Sequence, residues 1–256
     1  MKTLILASLL MTGTAAHAAT AESRLDTVQQ RGTLTVCTTG DYKPYTYLRD
    51  DGTYEGIDIA LAESLAKSLG VKIEWEPTRW KTLMPDFLDG SCDIAVGGIS
   101  ISLERQKNAF FSDPIAVDGK IPLVRCDDVA RYQTIEQLNQ PSVRLIEPPG
   151  GTNEAFVRRE LPNAQLELFE DNTVIFKQVA DGEADVMITD ASEALYQKRN
   201  YPSLCAVNPD HPLQFSEKAF LLPRDDVAWK AYVDQWLRLA KKTGEYKRIT
   251  DQWLAH

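Results

Sequence analysis

Short apolar strands alternate with amphipathic helices along this chain, and the alternation starts again after about residue 125. In the first part, GTLTVCTTG and VKIEWEP predict strands, and IDIALAESLAKSLG between them predicts a helix that ends at Gly70. In the second part, SVRLIEPPGGTNEAFVRREL, QLELFEDNTVIFKQVADG and ADVMITDASEALYQKRN each predict a strand followed by a helix. Such units build a mainly parallel sheet with helices on both faces, so the sequence predicts an α/β protein with two similar lobes.

The order of the segments also predicts how the lobes are connected. The apolar segment KAFLLPR would return the chain to the first lobe, before the terminal helices. We therefore expect the first lobe at residues 19–122 and 220–256 and the second at residues 123–219. Two separate connecting strands make a hinge, and a binding site is expected between the lobes. Lys120, in VDGKIPLV before the first hinge strand, could face either solvent or this cleft.

The N-terminal segment MKTLILASLLMTGTAAHA has the three parts of a secretory signal peptide. These are the positive Lys2, the apolar run LILASLLM and the small-residue motif AHA, and we expect cleavage after Ala18. No segment approaches the roughly 18 apolar residues of a membrane span, so the mature chain is expected to be exported without one. Removal of residues 1–18 leaves a charge of 27 − 37 = −10, which argues against a nucleic-acid partner.

Four cysteines suit an oxidising compartment. Cys37 and Cys92 lie in or beside the strand-like runs LTVC and CDIAVGG, where we expect two small buried hydrophobic side chains. The cysteine spacing does not suggest a zinc site. Only His211 and His256 remain after processing, so neither a metal site nor a histidine-based nucleophile is expected.

Arg105 follows a strand and a Gly-Gly turn in GGISISLERQKNAFFSDP. It could grip a carboxylate through two parallel hydrogen bonds, helped by Ser100 and the backbone near Gly98. The alternative is a solvated helix-face arginine that pairs with Glu104 or another neighbour. The pattern alone leaves both alternatives open.

Other strand ends carry further candidates for a binding site. In PPGGTNEAF, a second Gly-rich turn precedes a helix, and its free N–H groups with Thr152 and Asn153 could cradle an anion, although many such turns look alike. Trp80 in PTRWKTLMPDF and Tyr42 in TTGDYKPYTY follow strands, where loops project toward a cleft. They could form an aromatic wall for a ring-bearing ligand, or they could simply pack in the core.

The segment VMITDASEALYQ places a carboxylate, Glu193, one turn inside a predicted helix. Asp190 is a natural N-cap, and the three-residue spacing to Glu193 is that of a capping box. A capping glutamate would have its pKa lowered by the helix dipole. For Glu193 to act as an acid near neutral pH, its burial in an apolar cleft must outweigh that dipole.

Five segments occur in the following order over nearly the whole mature chain: TTGDYKPYTY, YEGIDIALAESLAKSLG, DIAVGGISISLERQKNAFFSDP, GGTNEAF and ADVMITD. In this order they resemble the polar amino-acid-binding proteins of bacterial ABC importers, which have the type II, two-lobed periplasmic-binding-protein fold. The resemblance implies that Arg105 holds a ligand α-carboxylate and that Asp190 meets an α-amino group. It also implies that the carboxylate is assisted by Gly98, Ser100 and Thr152.

One position departs from these carriers, which usually have an apolar residue where this chain has Glu193. The combination TTGDYKPY, GISISLERQ, DGK, PGGTNE and TDASEA is more similar to the periplasmic cyclohexadienyl dehydratases, enzymes built on the carrier fold. They convert prephenate to phenylpyruvate and L-arogenate to phenylalanine. The resemblance implies this lyase activity in the periplasm. Together with the oxidising compartment, it favours a disulfide between Cys126 and Cys205.

The reaction explains why a buried acid would matter. Loss of CO2 and hydroxide from the cyclohexadiene ring gives a benzene ring, and one general acid that protonates the hydroxyl contributes about 10²–10⁴-fold. We expect Glu193 to be this acid and Asp190 to be the helix cap, with support from Trp80, Lys120 and Asn153. No cofactor or metal is required. The alternative is a non-catalytic amino-acid receptor, for which an apolar residue at position 193 would be usual.

Overall fold

The computed structural model describes residues 22–254, so the predicted signal peptide lies outside the described residues. Within this range, no helix has the length and apolar character needed to cross a membrane. The α-helices are α1 Arg24–Arg31, α2 Ile57–Leu69, α3 Leu83–Leu88, α4 Leu103–Gln106, α5 Ile135–Leu138, α6 Thr152–Glu160, α7 Ile175–Asp181, α8 Ala191–Asn200, α9 Val227–Lys242 and α10 Glu245–Leu254, with a 3₁₀ helix at Cys126–Arg131. The strands are β1 Thr33–Thr38, β2 Asp41–Tyr42, β3 Thr46–Leu48, β4 Tyr54–Glu55, β5 Lys72–Pro77, β6 Ile94–Ala95, β7 Ala109–Phe111, β8 Ala116–Arg125, β9 Arg144–Glu147, β10 Gln165–Leu168, β11 Val186–Asp190, β12 Leu204–Ala206, β13 Gln214–Lys218 and β14 Leu221–Pro223.

The first lobe is built on a five-stranded sheet in the order β5-β1-β6-β14-β7, next to a small sheet β2-β3-β4. Helix α2 packs on the larger sheet through a buried apolar stripe that includes Leu61 and Leu65, four residues apart on one helical face. It ends where the sequence predicts, because Gly70 adopts the left-handed conformation with φ 70°. Helix α9 adds Trp229 and Val233 to the same core.

The second lobe is built on a sheet in the order β10-β9-β11-β8-β12, with β13 also paired to β8. Strands β9, β10 and β11 run parallel, but β8 runs antiparallel to β11, β12 and β13. The first sheet is divided in the same way, since β14 is antiparallel to both β6 and β7. Both sheets are therefore mixed, rather than mainly parallel as the strand–helix alternation predicts. The difference arises because one strand in each sheet runs opposite to the others: β8, by which the chain enters the second lobe, and β14, by which it returns to the first.

The chain crosses between the lobes twice, through two segments that lie side by side. One crossing lies between Phe111 and Ala116 and the other between Lys218 and Leu221. They are linked by hydrogen bonds, from Ser112 N–H to Phe220 O at 2.9 Å and from Phe220 N–H to Ser112 Oγ at 3.0 Å. Because β8 belongs entirely to the second sheet, we place the first lobe boundary before residue 116, earlier than the expected 122/123. The second crossing includes the expected boundary at 219/220.

Each lobe contains one disulfide. The predicted bridge between Cys126 and Cys205 is present and links the end of β8 to β12. The expectation that Cys37 and Cys92 are two separate thiols is wrong, because they form a second bridge. Both are buried as expected, but pairing of β1 with β6 brings the two Cα atoms, 55 residues apart in sequence, to 5.7 Å.

Candidate active site

A small cavity lies between the two lobes, at the ends of the strands. Its volume is about 20 Å³, which is room for about one water molecule. The cleft is therefore closed in this structure, and a ring-bearing ligand can enter only if the lobes separate. The cavity is lined by Tyr42, Trp80, Gly98 and Ser100 from the first lobe, by Pro148, Gly151, Thr152, Asn153, Asn172 and Asp190 from the second, and by Lys218 beside the hinge.

Direct contacts between the lobes hold this closed arrangement. Tyr45 Oη donates to Ser192 Oγ at 3.1 Å, and Asn172 Nδ2 donates to the backbone oxygen of Asp41 at 3.0 Å. At the rim, Gly150 of the second lobe lies so close to Lys81 of the first that an added Cβ would overlap the Lys81 backbone. The backbones of the two lobes thus meet at this point when the cleft is closed.

Aromatic side chains form one wall of the cavity, as the sequence suggests for Tyr42 and Trp80. The Tyr42 ring meets the Trp80 ring edge-on, with centroids 5.4 Å apart, and stacks on Tyr45 at 5.8 Å. Gly98 closes this wall from behind, with φ at 70°, and a Cβ there would overlap both tyrosine rings. Such a wall can contact the face or edge of an unsaturated ring.

The Gly-Gly turn is held by a buried carboxyl that the sequence analysis did not single out. Asp58 Oδ2 accepts the N–H groups of Gly97 and Gly98 at 2.9 and 2.7 Å. Burial raises the pKa of Asp58 to about 6, although these two hydrogen bonds lower it. The available signal was an aspartate on the buried side of a predicted helix, in GIDIALAE.

Asp190 lies at the centre of the site, where four donors surround its carboxylate. Tyr42 Oη donates to it at 2.7 Å, Lys120 Nζ at 3.0 Å and Ser216 Oγ at 3.2 Å, and Lys218 Nζ makes a close ion pair. Burial would raise the pKa of Asp190, but the charges of Lys120 and Lys218 outweigh it and hold this pKa well below its ordinary value. The predicted capping role is wrong: Asp190 occupies the N-cap position of α8, but its side chain makes no capping hydrogen bond. Its carboxylate instead accepts hydrogen bonds from Lys120 and Lys218.

Lys120 faces the cleft rather than solvent. Its Nζ donates to Thr152 Oγ1 at 3.0 Å and Asn153 Oδ1 at 2.5 Å, and burial lowers its pKa although Asp190 opposes the shift. Thr152 and Asn153 therefore lie on the cavity wall, as predicted, with Lys120 behind them.

Lys218 was missed by the sequence analysis. It lies on the cavity wall and donates to Ser100 Oγ at 2.9 Å and Tyr42 Oη at 3.3 Å. The signal that could have indicated it is a lysine at the start of an apolar hinge segment, KAFLLPR, as Lys120 is in GKIPLV. Each connecting strand of the hinge thus carries one buried lysine.

The Arg105 side chain is buried and turned toward the cavity wall rather than toward solvent. Its Nη1 donates to the backbone oxygen of Ser100 at 2.9 Å. Burial lowers the pKa of Arg105 to about 10, and negative charge on Asp190 partly opposes this. The alternative of a pair with Glu104 is wrong, because Glu104 is exposed and bonds Lys107 at 2.6 Å. Among the residues that the structure describes, no carboxylate forms an ion pair with Arg105, which leaves a buried guanidinium able to receive an anion.

Glu193 is completely buried in the first turn of α8. Its Oε2 accepts a hydrogen bond from Thr189 Oγ1 at 2.5 Å, and its Oε1 has no partner in the described part of the chain. Burial, together with negative charge on Asp190, raises the pKa of Glu193 well above its ordinary value, while Thr189 and Lys218 oppose the shift. Burial therefore favours the protonated form of this carboxyl group, and one of its oxygens has no hydrogen-bond partner among the described residues.

Glu154 shows how a glutamate at the same helical position behaves when it bonds to nearby groups in its own lobe. It is the third residue of α6, as Glu193 is of α8. Glu154 Oε2 accepts the Gly150 N–H at 2.6 Å, Oε1 pairs with Arg158 at 2.7 Å, and these bonds lower the pKa of Glu154 although burial opposes them. Glu193 makes none of these contacts, so the capping-box interpretation of Glu193 is wrong.

The structure places the predicted residues in two layers. The cavity wall contains Tyr42, Trp80, Gly98, Ser100, Thr152, Asn153 and Asp190. Arg105 and Lys120 lie one contact behind this wall in the closed cleft, and Glu193 lies in the first turn of α8, near enough for the charge of Asp190 to affect its pKa. Within residues 22–254, no group of three His, Cys, Asp or Glu side chains could hold a metal ion.

A family model of bacterial extracellular solute-binding proteins, family 3, matches residues 34–256, which is most of the chain. The chain belongs to this family. Solute-binding proteins bind small molecules, and the cavity between the two lobes offers a place for one. The two-lobed fold expected from the sequence is thus confirmed.

The relatives of this family 3 protein include both enzymes and carriers. A cyclohexadienyl dehydratase of Pseudomonas aeruginosa is 51% identical over 235 residues, covering 92% of this chain and 87% of the relative. The L-cystine-binding protein TcyJ of Escherichia coli is 26% identical over 251 residues, covering 97% and 92%. Sequence similarity therefore favours the enzyme by a wide margin.

Two solved structures extend the comparison with carriers and enzymes to three dimensions. An ancestral amino-acid-binding protein, described as a precursor of cyclohexadienyl dehydratase, has a TM-score of 0.84 at 36% identity and covers 90% of this chain and 99% of its own. An ancestral cyclohexadienyl dehydratase has a TM-score of 0.59 at 49% identity and covers 94% and 100%. Overall shape does not separate carrier from enzyme, so the function must be argued from the site.

Proposed function

We propose that the chain is a cyclohexadienyl dehydratase, a lyase that converts prephenate to phenylpyruvate and L-arogenate to L-phenylalanine, with Glu193 as the general acid. The observation that carries this proposal is a completely buried Glu193 whose Oε1 has no partner among the described residues and whose pKa is raised by burial, beside a cleft that otherwise has the make-up of an amino-acid carrier. The 51% identity to a dehydratase supports the same conclusion.

The positive groups of the cleft bind the substrate. The guanidinium of Arg105 binds the side-chain carboxylate of the substrate, and Ser100 and Thr152 lie beside it. The ring lies against Tyr42 and Trp80, and closing of the lobes excludes water around it. These contacts position the ring so that its hydroxyl points to Glu193.

The chemical step requires one proton and no electron acceptor. Glu193 gives its proton to the departing ring hydroxyl, which leaves as water. The carbon–oxygen bond breaks, and the electrons of the bond to the ring carboxylate move into the ring as CO2 is released. Glu193 is then a buried carboxylate, which burial strongly disfavours, so it takes up a proton again when the cleft opens.

The burial of Glu193 therefore serves the reaction directly. An exposed glutamate is ionised near neutral pH and has no proton to give. Desolvation raises the pKa of Glu193 and so favours a protonated acid before each turnover. Thr189 fixes one carboxyl oxygen and leaves the other for the substrate.

The compartment forms part of the proposal. A disulfide in each lobe and membership of an extracellular family support export, with cleavage of the signal peptide after Ala18 and function in the periplasm. A cleft with small polar groups at both lobes supports a small-molecule partner rather than a macromolecule.

The test is turnover of prephenate by the purified mature protein, followed as phenylpyruvate absorbance in alkali. Loss of prephenate with stoichiometric phenylpyruvate is expected from the wild-type protein and not from Glu193→Gln. Absence of product, together with tight binding of an amino acid in calorimetry, would instead support a non-catalytic receptor.

A further inference from the structure

Lysines already donate hydrogen bonds to several acceptors on the cavity wall, including Asp190. The Asp190 carboxylate receives Lys120 and Lys218, Ser100 Oγ receives Lys218, and Thr152 Oγ1 receives Lys120. In an amino-acid carrier of this type, the aspartate at this place would meet the ligand α-ammonium. Here an incoming ammonium would meet two ammonium groups and no free oxygen on Asp190.

We infer that Lys218 is a specificity-determining residue that makes this protein prefer an α-keto acid, prephenate, over the corresponding α-amino acid, L-arogenate. This inference rests on the proposed function, since it concerns the two substrates of that reaction. Lys218 is the lysine that lies on the cavity wall, whereas Lys120 lies behind Thr152 and Asn153.

The contacts connect Lys218 to the proposed carboxylate anchor through a single residue. Arg105 Nη1 binds the backbone oxygen of Ser100 at 2.9 Å, and Lys218 Nζ binds the side-chain oxygen of Ser100 at 2.9 Å. A carboxylate held by Arg105 therefore places its neighbouring carbon near Lys218. A keto oxygen on that carbon can accept a hydrogen bond from Lys218, whereas an ammonium there has only donors to offer.

The charge of the cleft supports the same preference. Among the groups that bond to Asp190 or to Ser100, Arg105, Lys120 and Lys218 supply three positive charges and Asp190 one negative charge, so the balance of this cluster is 3 − 1 = +2. Prephenate has two carboxylates and no ammonium, so its charge of −2 balances the cleft. L-Arogenate also has an ammonium, and its net charge of −1 does not. In a buried site, like charges at close range are strongly unfavourable.

One acceptor on the cavity wall is not used by a lysine. The side-chain oxygen of Asn172 has no partner among the described residues, but its amide bonds the backbone of Asp41 at the aromatic side of the cleft. Among the described residues, no hydrogen bond links Asn172 to Arg105 or Ser100. A preference for L-arogenate would point to Asn172 as the ammonium site and would overturn the inference.

The experiment compares kcat/KM for the two substrates, with phenylpyruvate and phenylalanine measured separately. The wild-type protein is expected to favour prephenate by about tenfold or more, a typical effect of one buried charge contact. Lys218→Met is expected to lower this ratio by about tenfold, while Lys218→Arg, which keeps the charge, retains most of it. The matched control is Lys120→Met, which removes the same charge behind the wall and should lower both values together. Equal kcat/KM values in the wild type, or a ratio unchanged in Lys218→Met, overturn the inference.

Ligand binding keeps the inference testable if a variant, or the wild type, is inactive. Calorimetry with phenylpyruvate and L-phenylalanine measures the same keto-against-amino choice without turnover, and melting temperatures confirm that each variant is folded. Tighter binding of phenylpyruvate that is lost in Lys218→Met supports the inference even where neither substrate reacts, in which case only the proposed function fails. Equal binding of the two ligands, or no binding of phenylpyruvate, overturns it.

Discussion

Replacement of Glu193 by glutamine separates the chemical role of this side chain from its structural one. The amide has nearly the same size and can still accept the hydrogen bond from Thr189. Because one carboxyl oxygen already lacks a partner, the amide NH2 adds only about one further unsatisfied donor to the interior. We expect a loss of about 1 kcal/mol in unfolding free energy, or a melting temperature lower by about 2–4 °C.

The effect on catalysis should be far larger. The amide cannot give a proton to the leaving hydroxyl, so kcat should fall by about 10²–10⁴-fold, or about 3–5 kcal/mol in activation free energy. In the wild type, kcat should fall as rising pH ionises Glu193 through its raised pKa, and this alkaline limb should be absent from the residual activity of the variant. The assay is phenylpyruvate formation across pH, with melting temperature measured on the same preparation.

Glu154→Gln provides the matched control, since Glu154 has the same position in α6 but bonds the Gly150 N–H and Arg158. Because the amide can still accept from the Gly150 N–H and only the ion pair is lost, stability should fall by about 0.5–1 kcal/mol, and kcat should stay within about twofold of the wild type. If Glu193→Gln instead behaves like this control, with near wild-type turnover and a small shift in melting temperature, then Glu193 is not the acid. The source of the proton would then have to be sought elsewhere in the cleft.

Further substitutions test the anchor, the closure and the buried carboxyl of the Gly-Gly turn. Arg105→Ala should raise KM by about 100-fold, because a charge-assisted pair of hydrogen bonds to the substrate carboxylate is lost; an unchanged KM would exclude the assigned role. Gly150→Ala should prevent full closure, since a Cβ overlaps the Lys81 backbone, and small-angle scattering with bound product should show a more open form together with reduced kcat. Asp58 has a folded-state pKa of about 6 against an ordinary 3.8, so its contribution to stability is complete below about pH 4 and lost as pH rises through 6. Urea unfolding should therefore show that the wild type loses about 3 kcal/mol of unfolding free energy between pH 4 and pH 7 relative to Asp58→Asn. Equal pH dependence of the two proteins would contradict the raised pKa of Asp58.

The fold and much of the site could be predicted because their signals are local. Strand and helix patterns, Gly-rich turns and the residues that follow them lie within short stretches, and Arg105, Thr152 and Trp80 were found in this way. The direction of the hinge strands could not be read from such patterns. It depends on which distant strand each one joins, and this made the sheets mixed.

Interactions between distant segments explain the errors at individual residues. Lys218 meets Tyr42 and Ser100 across 176 and 118 residues of sequence, so its apolar hinge segment does not by itself show which groups it contacts. Because lysines bind the Asp190 carboxylate, this side chain does not cap helix α8 as its local spacing predicts. Burial of Glu193, rather than its spacing from Asp190, decides its protonation, and burial is a property of the assembled lobes.

The order of the two disulfides has a consequence for how the protein matures. Counted from the N-terminus, the first cysteine is bridged to the second and the third to the fourth. A chain that emerges from a translocation channel exposes its thiols in this same sequence. An oxidase that joins each new thiol to the one before it would then form only native bridges, and thiol–disulfide exchange would have no mispaired bonds to repair. Maturation should accordingly require an oxidant but be indifferent to the loss of a disulfide isomerase.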